Sequence, residues 1–128
     1  MNLLLDTHAL LWFATNDSQL SLKAQLFIED PTNNVFVSPT SYWELAIKVT
    51  IGKLPLVVPF ETFIRTAVDE SQLVVLPILT AHATRLITLP LHHRDPFDRM
   101  LVAQALVEDL AILSCDTALD AYGVQRIW

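Results

Sequence analysis

One cysteine, two glycines, eight basic side chains and no long apolar run already narrow what this 128-residue chain can be. The lone Cys115 excludes an internal disulfide framework and a cysteine-based zinc site, and it points to a reducing compartment. So few glycines, with 17% charged residues, leave little that is disordered. No apolar stretch approaches the ~20 residues that span a bilayer. The apolar start, Met1 to Ala14, is broken by Asp6 and His8 and lacks a basic leader, so it makes a poor signal peptide. A soluble, cytoplasmic protein is expected. Eight Lys and Arg against fourteen Asp and Glu leave a net charge of −6, which opposes broad attraction to nucleic acid. It does not oppose a nucleic-acid substrate at a local site where a cation reverses the field.

What the chain has in quantity is apolar residues, 52%, enough to build the core of one domain over residues 1–128. Strands are expected at Asn2–Leu5, Val35–Ser38, Leu73–Leu76, Ala111–Ser114 and Val124–Ile127. Helices are expected over Thr7–Ala14 and Ser21–Asp30, from Pro39-Thr40 to Gly52, from Pro59 to about Glu70, and from a Thr80 cap to about Ile87. Leu89–Arg94 reads as loop, and Asp95-Pro96 opens a further helix as N-cap and N1. That helix is apolar almost all round from Phe97 to Val107, which predicts burial on both sides. Alternating strands and helices imply an α/β fold with a mostly parallel sheet covered on both faces. Leu3-Leu4-Leu5 and Ala111-Ile112-Leu113 have the unbroken apolar character of strands buried on both sides.

Four acids stand where strands end or helices begin: Asp6, Glu44, Asp98 and Asp116. In an open α/β sheet, residues at the carboxyl ends of strands face the ligand-binding crevice. Several carboxylates gathered there repel one another unless a divalent cation lies between them. Each acid also has an ordinary explanation. Asp6 suits an N-cap, which still leaves its carboxylate at the strand end. Glu44 sits four residues before Lys48, a salt-bridge spacing, although burial expected for Trp43 would place Glu44 near the sheet. Asp95 is mainly a cap, whereas Asp98 projects from the first turn of a buried helix, where a lone charge needs a partner. Asp116 is a turn or cap residue unless strands one and four are neighbours, in which case it faces Asp6. Asp120, one helical turn later, is a candidate outer ligand.

Thr7 and Ser38 have hydroxyls able to bond a carboxylate or phosphate, though caps and turns are their commoner use. Arg99 is placed to hold a phosphate, or is simply solvated. Lys48 and Lys53 line a groove for a phosphate-bearing substrate or pair with acids. His8 and the adjacent His92-His93 lack a zinc-ligand spacing, and loop surface is expected for the pair. Cys115 is expected to be small, buried and inert.

Those acids, in that order, resemble a PIN-domain ribonuclease, most closely the VapC-type toxins of bacterial type II toxin–antitoxin modules. The resemblance covers nearly the whole chain. It rests on Leu3-Leu4-Leu5-Asp6-Thr7-His8-Ala9-Leu10-Leu11-Trp12, on Ser38, on Trp43-Glu44 with Lys48 and Gly52-Lys53-Leu54, on His93-Arg94-Asp95-Pro96-Phe97-Asp98-Arg99, and on Ser114-Cys115-Asp116. It implies a three-layer α/β/α domain with about five strands ordered 3-2-1-4-5. It also implies Mg²⁺- or Mn²⁺-dependent endonucleolytic cleavage of RNA, a homodimer, and inhibition by a cognate antitoxin. Asp6, Glu44, Asp98 and Asp116 would form the acidic site, with Asp6, Asp98 and Asp116 on the metal. Two rivals stand beside this reading. A catalytically silent binding module of the same fold would normally lack one or more of the acids. A Mg²⁺-dependent phosphohydrolase of the haloacid-dehalogenase type needs a second aspartate two residues after the first, where this chain has His8.

Overall fold

The computed structural model describes residues 1–128. Five strands, β1 (Asn2–Leu5), β2 (Asn34–Val37), β3 (Val74–Val75), β4 (Ala111–Leu113) and β5 (Arg126–Ile127), form one sheet. Its order is β3-β2-β1-β4-β5 and every pairing is parallel. The helices are α1 (Thr7–Ala14), α2 (Leu22–Glu29), α3 (Pro39–Thr50), α4 (Phe60–Asp69), α5 (Thr80–Thr88) and α6 (Pro96–Glu108), with a 3₁₀ turn at Thr117–Tyr122. None of them is long and apolar enough to cross a membrane.

The period-two alternation of β1 sorts the core into two layers. Leu3 and Leu5 face a cluster with Ala9, Leu10, Ala24, Ile28, Leu45 and Val68 from α1 to α4. Leu4, between them, faces the opposite cluster of Leu101, Val102, Ala105, Ile112 and Leu119. Helices therefore cover both sheet faces, which is why Leu3–Leu5 of β1 and Ala111–Leu113 of β4 are all apolar. The edge strands are shorter than their apolar patterns predict. Leu73 and Leu76 lie outside β3, whose two valines are exposed, and Val124 and Gln125 lie outside β5.

Register decides what happens at the strand ends. Leu5 lies opposite Leu113, so the chain leaves β1 and β4 at the same level, and the Asp6 N–H still donates to the Leu113 carbonyl at 3.1 Å. Each exit starts a helical turn capped by the acid itself. Asp6 accepts from Ala9 N–H at 2.8 Å, and Asp116 accepts from Ala118 N–H at 3.0 Å. Ser38 does the same after β2, accepting from Thr40 N–H at 3.1 Å.

Two expectations about helices are corrected. Trp43 is 64% exposed, not buried. The inward face of α3 carries Thr40, Ser41 and Leu45, so the Trp43, Ile47 and Ile51 stripe points outward, and Trp43 packs edge-on against Phe97 with centroids 5.0 Å apart. The α5 start is not capped by Thr80. The Nδ1 of fully buried His82 accepts the Leu79 N–H at 2.9 Å, and its Nε2 lies 2.8 Å from Glu108 Oε1. With Nδ1 accepting, the imidazole proton is on Nε2 and donates to Glu108, tying α5 to α6.

Replacing His82 with alanine strands both the Leu79 N–H and the Glu108 carboxylate. We expect His82→Ala to cost about 2–3 kcal/mol in urea unfolding. A change below ~0.5 kcal/mol would mean that neither bond matters to stability.

Candidate metal centre

The carboxyl ends of β1 and β4 carry the acids that the chain separates by more than a hundred positions. Asp6 is 4% exposed. Burial raises its pKa most, and nearby Glu44 adds to the rise. Bonds from the Ser114 hydroxyl and Ala9 N–H oppose it, as does the charge of His8. Asp98, from the first turn of α6, reaches the same place. Burial first, then the charges of Asp95 and Asp6, push its carboxyl up to about 7, with His93 acting against the rise and Glu44 adding to it. Asp116 joins through His93, whose Nε2 lies 3.3 Å from Asp98 Oδ2 and 3.1 Å from Asp116 Oδ2. Glu44 does not pair with Lys48, whose ammonium lies 3.3 Å from His8 Nε2 instead. Its Oε1 is buried without a hydrogen-bond partner. The structure thus brings Asp6, Glu44 and Asp98 within reach of one another's charge, and His93 joins Asp116 to Asp98.

This donor set fits a hard divalent cation. Carboxylate oxygens from several elements, one of them buried and unpartnered, are the ligand chemistry that Mg²⁺ and Mn²⁺ accept. His93 Nε2 with single oxygens of Asp98 and Asp116 forms a group spanning no more than 4.8 Å. Asp6 and Asp116 each commit one oxygen to a helix-capping N–H, which fixes how the other is presented.

The remaining sequence candidates fall elsewhere. The Thr7 hydroxyl donates to Ser41 at 3.1 Å and links α1 to α3, and Ser38 is the α3 cap. Arg99 does not reach toward a phosphate. Its guanidinium donates to the carbonyls of Pro90 (2.8 Å) and Leu89 (3.3 Å) and to the Tyr122 hydroxyl (3.3 Å), because the Leu89–Arg94 loop needs donors for its carbonyls. Asp120 is held by Arg126 through two bonds of 2.8 and 3.2 Å. Cys115 is exposed, not buried, since the fully buried Ser114 takes the inward position next to it. His93, expected on the loop surface, is instead inside the acidic group. Ser114 was also passed over, yet its Oγ accepts Asp116 N–H at 3.0 Å while its proton serves Asp6.

Beside the acids runs an open groove of about 530 Å³, lined by Glu44, Ile47, Lys48, Ile51, Lys53, Arg94, Asp95, Pro96 and Phe97. Three of the chain's eight basic residues border it, so positive charge is concentrated next to the carboxylates.

The family model described as PIN domain matches residues 3–125. The chain belongs to the PIN-domain family. The fold of this PIN domain is shared with VapBC2 from Rickettsia felis, solved with a DNA fragment from its promoter, at TM-score 0.72 and 13% identity over 99% of this chain and 98% of that one. It is shared also with FitAcB from Neisseria gonorrhoeae (0.67, 18%, 98% and 96%) and VapBC-1 from nontypeable Haemophilus influenzae (0.64, 17%, 99% and 97%). At such identities the likeness is one of fold. No curated protein matches the chain in sequence. The sheet order 3-2-1-4-5 implied by the family resemblance is the order observed.

The raised Asp98 pKa makes a signed prediction for the metal-free protein. The folded state holds this proton up to about pH 7, whereas an unfolded aspartate releases it near 3.8. Between those values the folded state binds more protons, so the contribution of Asp98 to stability is greatest below pH 4 and declines as pH rises toward 7. Urea unfolding of wild type and Asp98→Asn from pH 4 to 8 isolates this contribution. The gain from Asp98→Asn should grow across that window; a constant difference would contradict the shift.

Proposed function

We propose that this PIN domain is a Mg²⁺- or Mn²⁺-dependent endoribonuclease acting as the toxin of a type II toxin–antitoxin module. The observation that carries the reading is the gathering of carboxylates from four parts of the chain, Asp6, Glu44 and Asp98 by mutual charge and Asp116 through His93, with an orphaned buried oxygen on Glu44 and an Asp98 that resists ionisation. Asp6, Asp98 and Asp116 would hold the ion, with Glu44 completing its surroundings. When bound, such an ion polarises the scissile phosphate and lowers the pKa of an attacking water. The chain's own residues present those oxygens in fixed directions through the Ala9, Ala118 and Ser114 bonds. Neither a nucleophilic serine nor a general-base histidine is needed for this chemistry.

RNA would lie along the groove bordered by Lys48, Lys53 and Arg94, which counter its phosphates in a chain that is otherwise acidic. A cognate antitoxin and a homodimer belong to the same proposal, and both rest on the family resemblance. The outward apolar stripe of α3, Trp43, Ile47 and Ile51, is surface that a protein partner would cover. The silent-module and phosphohydrolase readings gain no support from a particular feature of the site.

Cleavage of RNA by the purified protein should require Mg²⁺ or Mn²⁺ and stop with EDTA. Asp6→Asn keeps an N-cap for α1 while removing a charge. We expect it to lower the cleavage rate at least ~100-fold, about 2.7 kcal/mol of barrier, with little change in melting temperature. Metal-independent cleavage, or full activity in Asp6→Asn, would refute the assignment.

The groove is tested separately, in the Asp6→Asn background so that RNA stays intact. Lys53→Ala and Arg94→Ala should each weaken binding and flatten the log affinity against log salt slope by about 0.7. An unchanged slope would move the RNA path elsewhere.

A further inference from the structure

We infer that His93 is a positioning residue of the acidic centre, a fixed hydrogen-bond donor that holds Asp98 and Asp116 side by side, and not a ligand to the ion. The inference rests on reading that centre as a metal site.

His93 has its two ring nitrogens in different employment. Nδ1 accepts the backbone N–H of Asp95 at 3.1 Å, so its lone pair is engaged there. A neutral imidazole has one lone-pair nitrogen and one N–H, so the proton belongs on Nε2. That atom faces Asp116 Oδ2 at 3.1 Å and Asp98 Oδ2 at 3.3 Å, close to two acceptors at once. A nitrogen bearing this proton has no lone pair for a metal. Proximity of three ligand-type atoms would suggest a His-Asp-Asp metal set, and the Asp95 bond argues against it. His82 shows the same division of labour far from the acids, accepting a backbone N–H at Nδ1 and facing a carboxylate with Nε2.

The backbone of His93 is held as well. Its N–H donates to the Tyr122 hydroxyl at 2.7 Å, and Arg99 ties that hydroxyl to the Pro90 carbonyl. The ring is therefore anchored at its backbone and at Nδ1, leaving Nε2–H aimed at the two carboxylates. Asp116 comes from the end of β4 and Asp98 from α6, two elements with no other side-chain link at this point among the hydrogen bonds of these residues. A donor shared between them sets their relative orientation and offsets part of their repulsion. Partners of this kind, one step removed from the ion, commonly change metal affinity 10- to 100-fold when lost.

Two substitutions separate the roles of the ring nitrogens. His93→Gln places an amide N–H where Nε2 stood and gives up the Nδ1 acceptor. His93→Asn retains an acceptor near Nδ1 and loses the distal donor. Mn²⁺ titrations followed by the EPR signal of free Mn²⁺ should give wild type and His93→Gln affinities within about threefold. His93→Asn and His93→Ala should both bind roughly tenfold or more weakly, with circular dichroism confirming that each variant is folded. Rescue by asparagine and not glutamine would show that only the loop bond matters and would overturn the clamp. So would a directly bonded ¹⁴N coupling in pulsed EPR of the Mn²⁺ protein that disappears in His93→Gln, because it would make His93 a ligand. In the metal-free protein, long-range ¹H–¹⁵N spectra at pH 8 should show His93 protonated at Nε2 with Nδ1 bare. Protonation at Nδ1 would overturn the clamp alone. A wild-type protein that binds no Mn²⁺ would instead defeat the metal reading of the centre, and the clamp's role with it.

Discussion

Parallel pairing of β1 with β4 brings two chain exits to the same level, and at each exit stands an acid. Leu5 opposite Leu113 puts Asp6 and the Ser114–Asp116 segment beside each other on the ends of the two central strands. Asp6 cannot retreat to solvent without breaking the register, because the strand behind it is buried on both faces, whereas Asp116, two residues past β4, keeps part of its carboxylate in solvent. The surroundings answer that constraint with directed N–H and O–H donors: Ala9 and Ser114 for Asp6, Ala118 for Asp116, and His93 for Asp116 and Asp98. What remains uncompensated is concentrated on Asp98, whose carboxyl holds its proton to about 7, and on the orphaned oxygen of Glu44. That cost is borne at one place, while most buried polar groups elsewhere are satisfied, and such a place is a candidate for the chemistry proposed above.

The distribution of positive charge follows the same logic. An overall charge of −6 opposes indiscriminate attraction of polyanions, while Lys48, Lys53 and Arg94 border the groove next to the acids. A polyanion and a cation-binding cluster of carboxylates are incompatible neighbours unless other positive charge intervenes. Arg99 is a contrasting case, since its position beside Asp98 reflects the donor requirements of the preceding loop and the Tyr122 hydroxyl.

Much of the fold was legible from local rules. The apolar runs of β1 and β4, the Pro39-Thr40 and Asp95-Pro96 helix starts, and α6 with its Leu101–Ala105 segment buried all carry their structure in a few adjacent residues. Other features were misread because a one-dimensional pattern cannot say which face of an element is covered. Trp43, Ile47 and Ile51 form a regular helical stripe, and helical stripes usually face a core. Here the core side of α3 is taken by Ser41 and Leu45, and the stripe faces outward. His93 was hidden for a similar reason. A histidine in a polar loop resembles surface until the loop is seen to fold back over the acids.

By itself the sequence determined the alternation of strands and helices, the burial of its two central strands, and the identity of acids at the element ends. These depend on periodicity, caps and turn chemistry, which act over fewer than ten residues. Only the tertiary structure decided that Asp6, Glu44 and Asp98 lie within reach of one another's charge, that His93 joins Asp98 to Asp116, and that Arg99 and Asp120 have other partners. The physical reason is that electrostatic and hydrogen-bond energies depend on distances between atoms, and those distances are set by strand order and register across the whole sheet.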